Sequence, residues 1–425
     1  MIDDIILIAE AGVDATILNS FINAMAAIRG LQFGVNKCKH LKITNTKEDD
    51  LNNVMEVDGW EQVREQGELK DKFVGKVKTE KVKSQKYLGL YIQDNGKNDD
   101  TIKNKNIKAI VTTRAVKNKI KQMRLGMYFF EAMKILRNSV FLSSYLYGTE
   151  VLYNMNEKDT KALMMKDEQF VKEVCSLERA VPAALIYLEL GFKTVDVIVM
   201  VRRMCFLKYI LERKSELAYE VYQKQKLNPL KGDWAHMVEK DKDELKLELT
   251  DKEIAAISKK EFKELLETKS NTLSFKKLIK RKSKLSKGKH LEYSSLKTQS
   301  YLMPESRLNL EEMKMMLRIR TDMTDLAEHM KYKHGGAKTC RVGCSAYENL
   351  EHLIECKIDT LDQNIVTKTD IENIKQGIIN VETKSKLQMI LKLIKRRNTM
   401  EFKSNTHDLS GSVQCGSQGG ETGGK

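Results

Sequence analysis

Proline is almost missing, with three residues in 425. With so little to interrupt helices, and with Lys, Glu, Leu and Met abundant, the composition points to a mostly helical chain. Cysteine is sparse and unevenly spaced, with seven residues. That excludes a disulfide framework and suits a reducing, intracellular compartment. No apolar run approaches a membrane span. Asp3 and Asp4 stand where a secretory leader would be basic, so neither membrane nor export is expected. Carboxylates are also in deficit: 59 Asp and Glu face 74 Lys and Arg, for a formal net charge of +15. A surplus of that size suits a polyanionic partner, nucleic acid ahead of a membrane.

The apolar fraction of 41% excludes a globally disordered chain, and the length allows two or three domains. The opening stretch, Met1-Ile2-Asp3-Asp4-Ile5-Ile6-Leu7-Ile8, reads as a buried strand with two carboxylates at its mouth. Adjacent carboxylates repel and resist desolvation unless a cation lies between them. Asp3 and Asp4 are therefore candidate Mg²⁺ ligands, with solvated terminal residues as the plain alternative. Ile17, Phe21, Met25 and Ile28 predict an amphipathic helix from about Asp14 to Gly30. Cys38 to Thr44 alternates as a second strand. Residues 45–85 are charged and poorly periodic, with a hairpin expected around Phe73 to Val82. Lys86 to Ile92 predicts a strand with Gly89 inside it, where another backbone approaches.

From residue 100 the charge becomes one-sided. Lys103, Lys105, Lys108, Arg114, Lys117, Lys121 and Arg124 are candidate phosphate contacts on a helical pair. Ile107, Ile110, Val111 and Ala115 are expected beneath them as the buried stripe. The plain alternative is a solvated face. Helices continue to residue 222, one of them opened by Pro182. Asn228 to Gly232 marks an expected boundary. Residues 235–300 read as charged helix and linker, with a second basic cluster at Lys276, Lys277, Lys280, Arg281, Lys282, Lys284, Lys287 and Lys289. A helix follows over Asn309 to Arg320; its Met-rich run, Glu312 to Leu317, suits core packing or a scaffold for protein partners. A basic helix spans 365–400, and the Gly/Ser-rich end from Ser410 is expected to be disordered.

Cys340, Cys344, His352 and Cys356 have the spacing C-x3-C-x7-H-x3-C. Two cysteines on a knuckle, then His and Cys one helical turn apart, bring four soft donors together for tetrahedral Zn²⁺. The plain alternative is buried cysteines beside a satisfied histidine.

Taken in order, several of these pieces resemble the reverse transcriptase of non-LTR, LINE-type retrotransposons. Ile2-Asp3-Asp4-Ile5 is similar to the catalytic turn of the palm, although Met1 stands where the family usually has an aromatic. Gly34 to Lys39 is similar to the next palm motif, with Asn36 and Lys39 matching. Lys86 to Ile92 resembles the primer-contacting hairpin, Tyr147 to Leu152 a thumb-helix signature, and Cys340 to Cys356 the zinc knuckle downstream.

The resemblance implies an α+β, mostly α fold. Its parts would be a partial palm over 1–95, a helical thumb over 96–230 and a charged helical linker over 231–330. A CCHC zinc knuckle would follow over 331–360, then a basic helix and tail over 361–425. It implies RNA-directed DNA synthesis, with RNA and DNA as template–primer and two Mg²⁺ held by three Asp. Asp3 would bind metal, Asp4 would support it and Lys39 would meet the triphosphate. The family's third Asp precedes the Asp-Asp turn, at which this sequence starts. The chain is therefore expected to be a fragment that binds nucleic acid without polymerising alone. The rival reading is a non-enzymatic, zinc-dependent nucleic-acid-binding protein.

Overall fold

The computed structural model describes residues 12–28, 33–34, 39–41, 56–65, 68–78, 80–214, 216–324, 326, 339–341, 344, 346–356, 366–378 and 380–399. The chain divides into two units, Met1–Leu310 and Glu311–Lys425. The fold is α+β and mostly α, as the composition implies. No helix among the described residues is long and apolar enough to cross a membrane.

The first unit begins with α1 (Gly12–Ile28), packed on β3. Its expected apolar stripe is largely outward, since Ile17, Phe21 and Ile28 are exposed. β1 (Phe33–Gly34) runs parallel to β3 (Glu56–Glu65), which pairs antiparallel with β4 (Glu68–Lys78). The hairpin in this region thus lies earlier than Phe73–Val82. Asp71 and Gly75 interrupt the alternation of Leu69, Phe73 and Val77, so the period was hidden. β2 (Lys39–His40) and β5 (Glu80–Lys81) form a short parallel pair, where an extended strand over Cys38–Thr44 was expected.

Lys86 to Ile92 is not one strand. β6 (Ser84–Tyr87) and β7 (Leu90–Gln93) pair antiparallel around a two-residue turn, Leu88-Gly89. Both turn residues have positive φ, 45° and 86°. Such a turn matches the twist of a hairpin but favours Asn or Gly over Leu. Leu88 adopts it with its side chain 60% exposed, so burial offsets none of the strain.

Helices follow without a break in character: α2 (Asp99–Met123), α3 (Phe129–Leu136), α4 (Leu142–Tyr145) and α5 (Glu157–Val174). Between α3 and α4 the chain makes a π-helical turn, Arg137–Phe141. Arg137 is buried there and donates to Asp167 of α5 at 2.9 and 2.6 Å. The Tyr187 hydroxyl of α6 (Ala183–Leu190) donates to the same carboxylate. Phe141 stacks on Phe170 with centroids 4.0 Å apart. The buried carboxylate therefore joins three helices.

α7 (Val195–Glu212), α8 (Leu217–Leu227), α9 (Trp234–Leu245), α10 (Asp251–Ala256) and α11 (Lys259–Lys282) complete the unit. Met204, Leu207, Tyr222, Trp234, Val238, Phe262 and Leu266 share one apolar core. The boundary expected near residue 230 is therefore not one, and 235–282 is packed helix rather than linker. The basic cluster on α11 is partly spent inside: Lys277 pairs with Asp196 and Glu244, and Arg281 with Glu168.

The second unit holds α12 (Leu310–Arg320), α13 (Leu350–Glu355), α14 (Lys368–Gln376) and α15 (Val381–Thr399). Met313, Met316 and Leu317 are fully buried, so the Met-rich run is core. Gln388 of α15 donates to Glu312 at 2.7 Å, and Leu387, Ile390 and Ile394 are buried along the same helix.

The buried stripe of α2 also differs from expectation. Ile102, Lys105, Ala109, Thr113, Val116 and Ile120 face inward, while Ile107, Ile110 and Val111 are exposed. Lys105, 4% exposed, donates from Nζ to the carbonyls of Tyr145 and Tyr147. Burial holds its ammonium down at about 8, with Lys108 adding repulsion. Between that value and the ordinary 10.5 the unfolded chain binds the extra proton, so stability rises with pH. Wild type should gain about 2–3 kcal/mol relative to Lys105→Met across this window, measured by urea unfolding. Lys103→Ala, on the exposed face, should change stability by less than about 0.5 kcal/mol. A wild type-to-Lys105→Met difference that stays flat with pH would show that the ammonium is solvated.

Candidate metal centre and basic face

The second unit builds its centre from a knuckle and a short helix. Thr339 and Tyr347 bridge antiparallel, and the Cys340 amide donates to the Ala346 carbonyl at 2.9 Å. This places Cys340 and Cys344 at the mouth of a tight loop. The next residue after Cys340, Arg341, is buried and makes a forked contact to the buried Glu348 carboxylate, which also accepts from the Arg341 amide at 2.7 Å. Asn349 then caps α13 by accepting from the His352 amide at 2.8 Å. One turn on, Cys356 ends the helix. His352 and Cys356 thus share a helix face and meet the knuckle.

The four donor atoms lie within 4.8 Å of one another. Cys340 Sγ is 3.9 Å and Cys344 Sγ 3.4 Å from Cys356 Sγ. Three thiolates on a tetrahedral Zn²⁺ at about 2.3 Å would stand about 3.8 Å apart. His352 Nε2 is buried and has no hydrogen-bond partner among the described residues. A buried, unpartnered ring nitrogen on an imidazole that comes within 4.8 Å of three sulfurs is what a metal ligand requires and what a merely packed histidine avoids. Burial, reinforced by the Arg397 cation, lowers the His352 pKa, which keeps the imidazole neutral at pH 7. Burial and the contact with Cys356 push the Cys344 thiol up to about 12. These four residues form a Cys3His cluster able to hold a metal ion.

One contact was not expected from the sequence. Arg397, on the last turn of α15, is fully buried, and its Nη1 donates to Cys340 Sγ at 3.0 Å. Its position follows Leu387, Ile390 and Ile394 at helical spacing. That phase was the available signal, obscured because Lys395 and Arg396 make the segment read as a basic surface.

The other predicted site residues are scattered. Asp3 and Asp4 lie outside the described residues, as does Asn36; no Mg²⁺ site is formed among those described. Lys39 is on β2 and pairs with Glu80 across the strands at 3.0 Å. Lys105 is removed from the phosphate-contact set by its burial. Lys108 is half-buried, while Lys103, Arg114, Lys117, Lys121 and Arg124 are exposed, as is Lys119. None of these exposed six pairs with a carboxylate among the described residues.

The hairpin is clamped to this helix. Thr101 of α2 accepts from the Tyr91 amide at 2.8 Å and donates to its carbonyl at 3.1 Å. Gln93 accepts from the Asp100 amide at 3.0 Å. Gly148, with φ 74°, lies against Leu90, and a Cβ there would stand 2.9 Å from its side chain. The Tyr147 ring lies over Gly89. The Leu88 turn, the Tyr147-Gly148 corner and the start of α2 therefore form one piece.

The full chain should carry about one Zn²⁺, measured by elemental analysis after gel filtration, and lose it in Cys340→Ser and Cys344→Ser. Because binding must displace thiol protons, apparent affinity should rise with pH by about one decade per unit for each proton released. Equal retention of metal in both serine variants would remove the cluster as its site.

No protein-family model matches the chain, and no curated protein or solved structure matches it.

Proposed function

We propose that the chain binds nucleic acid as the C-terminal part of a non-LTR reverse transcriptase, combining a palm remnant, a helical thumb and a zinc knuckle. The observation that carries the binding is the outer face of α2. Lys103, Arg114, Lys117 and Lys121, with Arg124 at its end, form a one-sign row of exposed cations. Lys277 and Arg281 on α11 have carboxylate partners; these have none among the described residues. Ile107, Ile110 and Val111 are exposed among them. A partner offering phosphates beside apolar sugar and base surfaces matches that mixture.

The polymerase lineage draws support from the hairpin. An exposed, strained Leu88 at its tip, held rigidly to the basic helix, suits a contact with a primer end beside a gripped backbone. Zn²⁺ is the metal the Cys3His set favours, since thiolate and imidazole donors in tetrahedral array select it over Mg²⁺. Its role would be to shape the second unit, with all four positions filled by protein.

Replacing Lys103, Arg114, Lys117 and Lys121 together by Ala should weaken duplex binding at least tenfold at moderate salt. It should also flatten the slope of log affinity against log salt by about 0.9 for each phosphate that is no longer neutralised. Unchanged affinity and slope would dismiss the α2 face. A photoreactive nucleotide at the 3′ end of a primer on an RNA template should label residues 84–93. Labelling confined to the second unit would set aside the reverse-transcriptase lineage while leaving binding intact.

A further inference from the structure

A guanidinium gains little from a neutral thiol, because S–H is a weak acceptor. Arg397 nevertheless sits fully buried with Nη1 on Cys340 Sγ, and the Cys356 thiol is a second neighbour. The situation changes once a divalent cation is bound. Three thiolates, one neutral imidazole and one divalent ion leave a single net negative charge on the cluster. Sulfur then becomes a charge-assisted acceptor, and the Arg397–Cys340 contact strengthens.

The contact spans 57 residues, from the knuckle to the end of α15. Earlier turns of α15 have other anchors: Leu387, Ile390 and Ile394 in the core, and Gln388 on Glu312. Its last turn carries the exposed Arg396 and the exposed Lys395, which pairs with Glu311. Arg397 is the buried side chain that turn sends to the cluster.

We propose that Arg397 is the positioning residue that couples the metal centre to α15: metal occupancy holds the last turns of the helix in place, and the docked helix in turn strengthens metal retention. The two effects are one coupling and must be equal in size. This rests on the reading of the cluster as a Zn²⁺ site.

The test uses the full chain as wild type, Arg397→Met and Arg397→Lys. Zinc affinity is measured by competition with a chromogenic chelator, and hydrogen exchange is followed by mass spectrometry with and without zinc. Arg397→Met should lose about 10–100-fold in zinc affinity, as removal of a partner behind a metal ligand typically does. Arg397→Lys should recover part of that loss, since it keeps the charge but not the planar fork. In wild type, removing zinc should speed exchange in peptides over 388–399 and leave α5 and α7 unchanged. In Arg397→Met those peptides should exchange fast even with zinc bound.

If Arg397→Met fails to fold, the wild-type exchange experiment decides alone. Wild-type zinc affinity in Arg397→Met, or exchange over 388–399 that ignores zinc, overturns the coupling while the metal site stands. A wild-type chain that binds no zinc overturns both.

Discussion

The Asp167 carboxylate, enclosed by α3, α5 and α6, accepts from both Arg137 and Tyr187. A carboxylate so far from water is tolerable only with those partners in place, and removing one would leave an uncompensated charge at a cost of about 3–5 kcal/mol. The contact therefore dictates how the helices after α2 meet, and where the Tyr147-Gly148 corner and the Leu88 turn come to rest. The same rule recurs through the molecule. Arg203 meets Asp241, Lys208 caps the carbonyls of Ile254 and Ile257, Arg341 grips Glu348 and Arg397 meets Cys340. In a chain so rich in charge, the distinction between framework and working surface is which cations have been given an acceptor.

That distinction separates neighbours. Lys103 and Lys105 stand two residues apart on one helix, yet one is in solvent and the other holds two backbone carbonyls. Composition cannot tell them apart. The helical phase can, but the apolar residues of α2 misled it. Ile107, Ile110 and Val111 look like a core stripe and are not; the true inward face runs from Ile102 to Ile120 through Ala109, Thr113 and Val116, small residues that let α5 approach. A purely hydrophobic reading discards such a face because it carries little apolar mass.

The metal cluster was legible because its geometry is local. A knuckle and one helical turn suffice to bring Cys340, Cys344, His352 and Cys356 together, and both are written within seventeen residues. The overall α+β, mostly helical class was legible for a similar reason, since it follows from summed propensities. What depended on distant contacts was not. The Leu88-Gly89 turn violates the usual residue preference, so the hairpin read as a strand. The continuity of the core through Trp234 and Phe262 was masked by the charged surface of the helices that carry them. Arg397 falls within the helix read over 365–400 only as basic, and nothing local marks it as the residue that turns inward.

The π-helical turn at Arg137–Phe141 holds one residue more than a regular helix would need over the same rise. Excising that one residue would let an ordinary α-helix cover the same rise, so the chain downstream would keep its phase and only the turn itself would change. The contacts such a change would disturb are those made from within the turn, Arg137 on Asp167 and Phe141 on Phe170. This turn should therefore be sensitive to the identity of Arg137 and Phe141, while the helices beyond it would keep their phase through the loss of one residue.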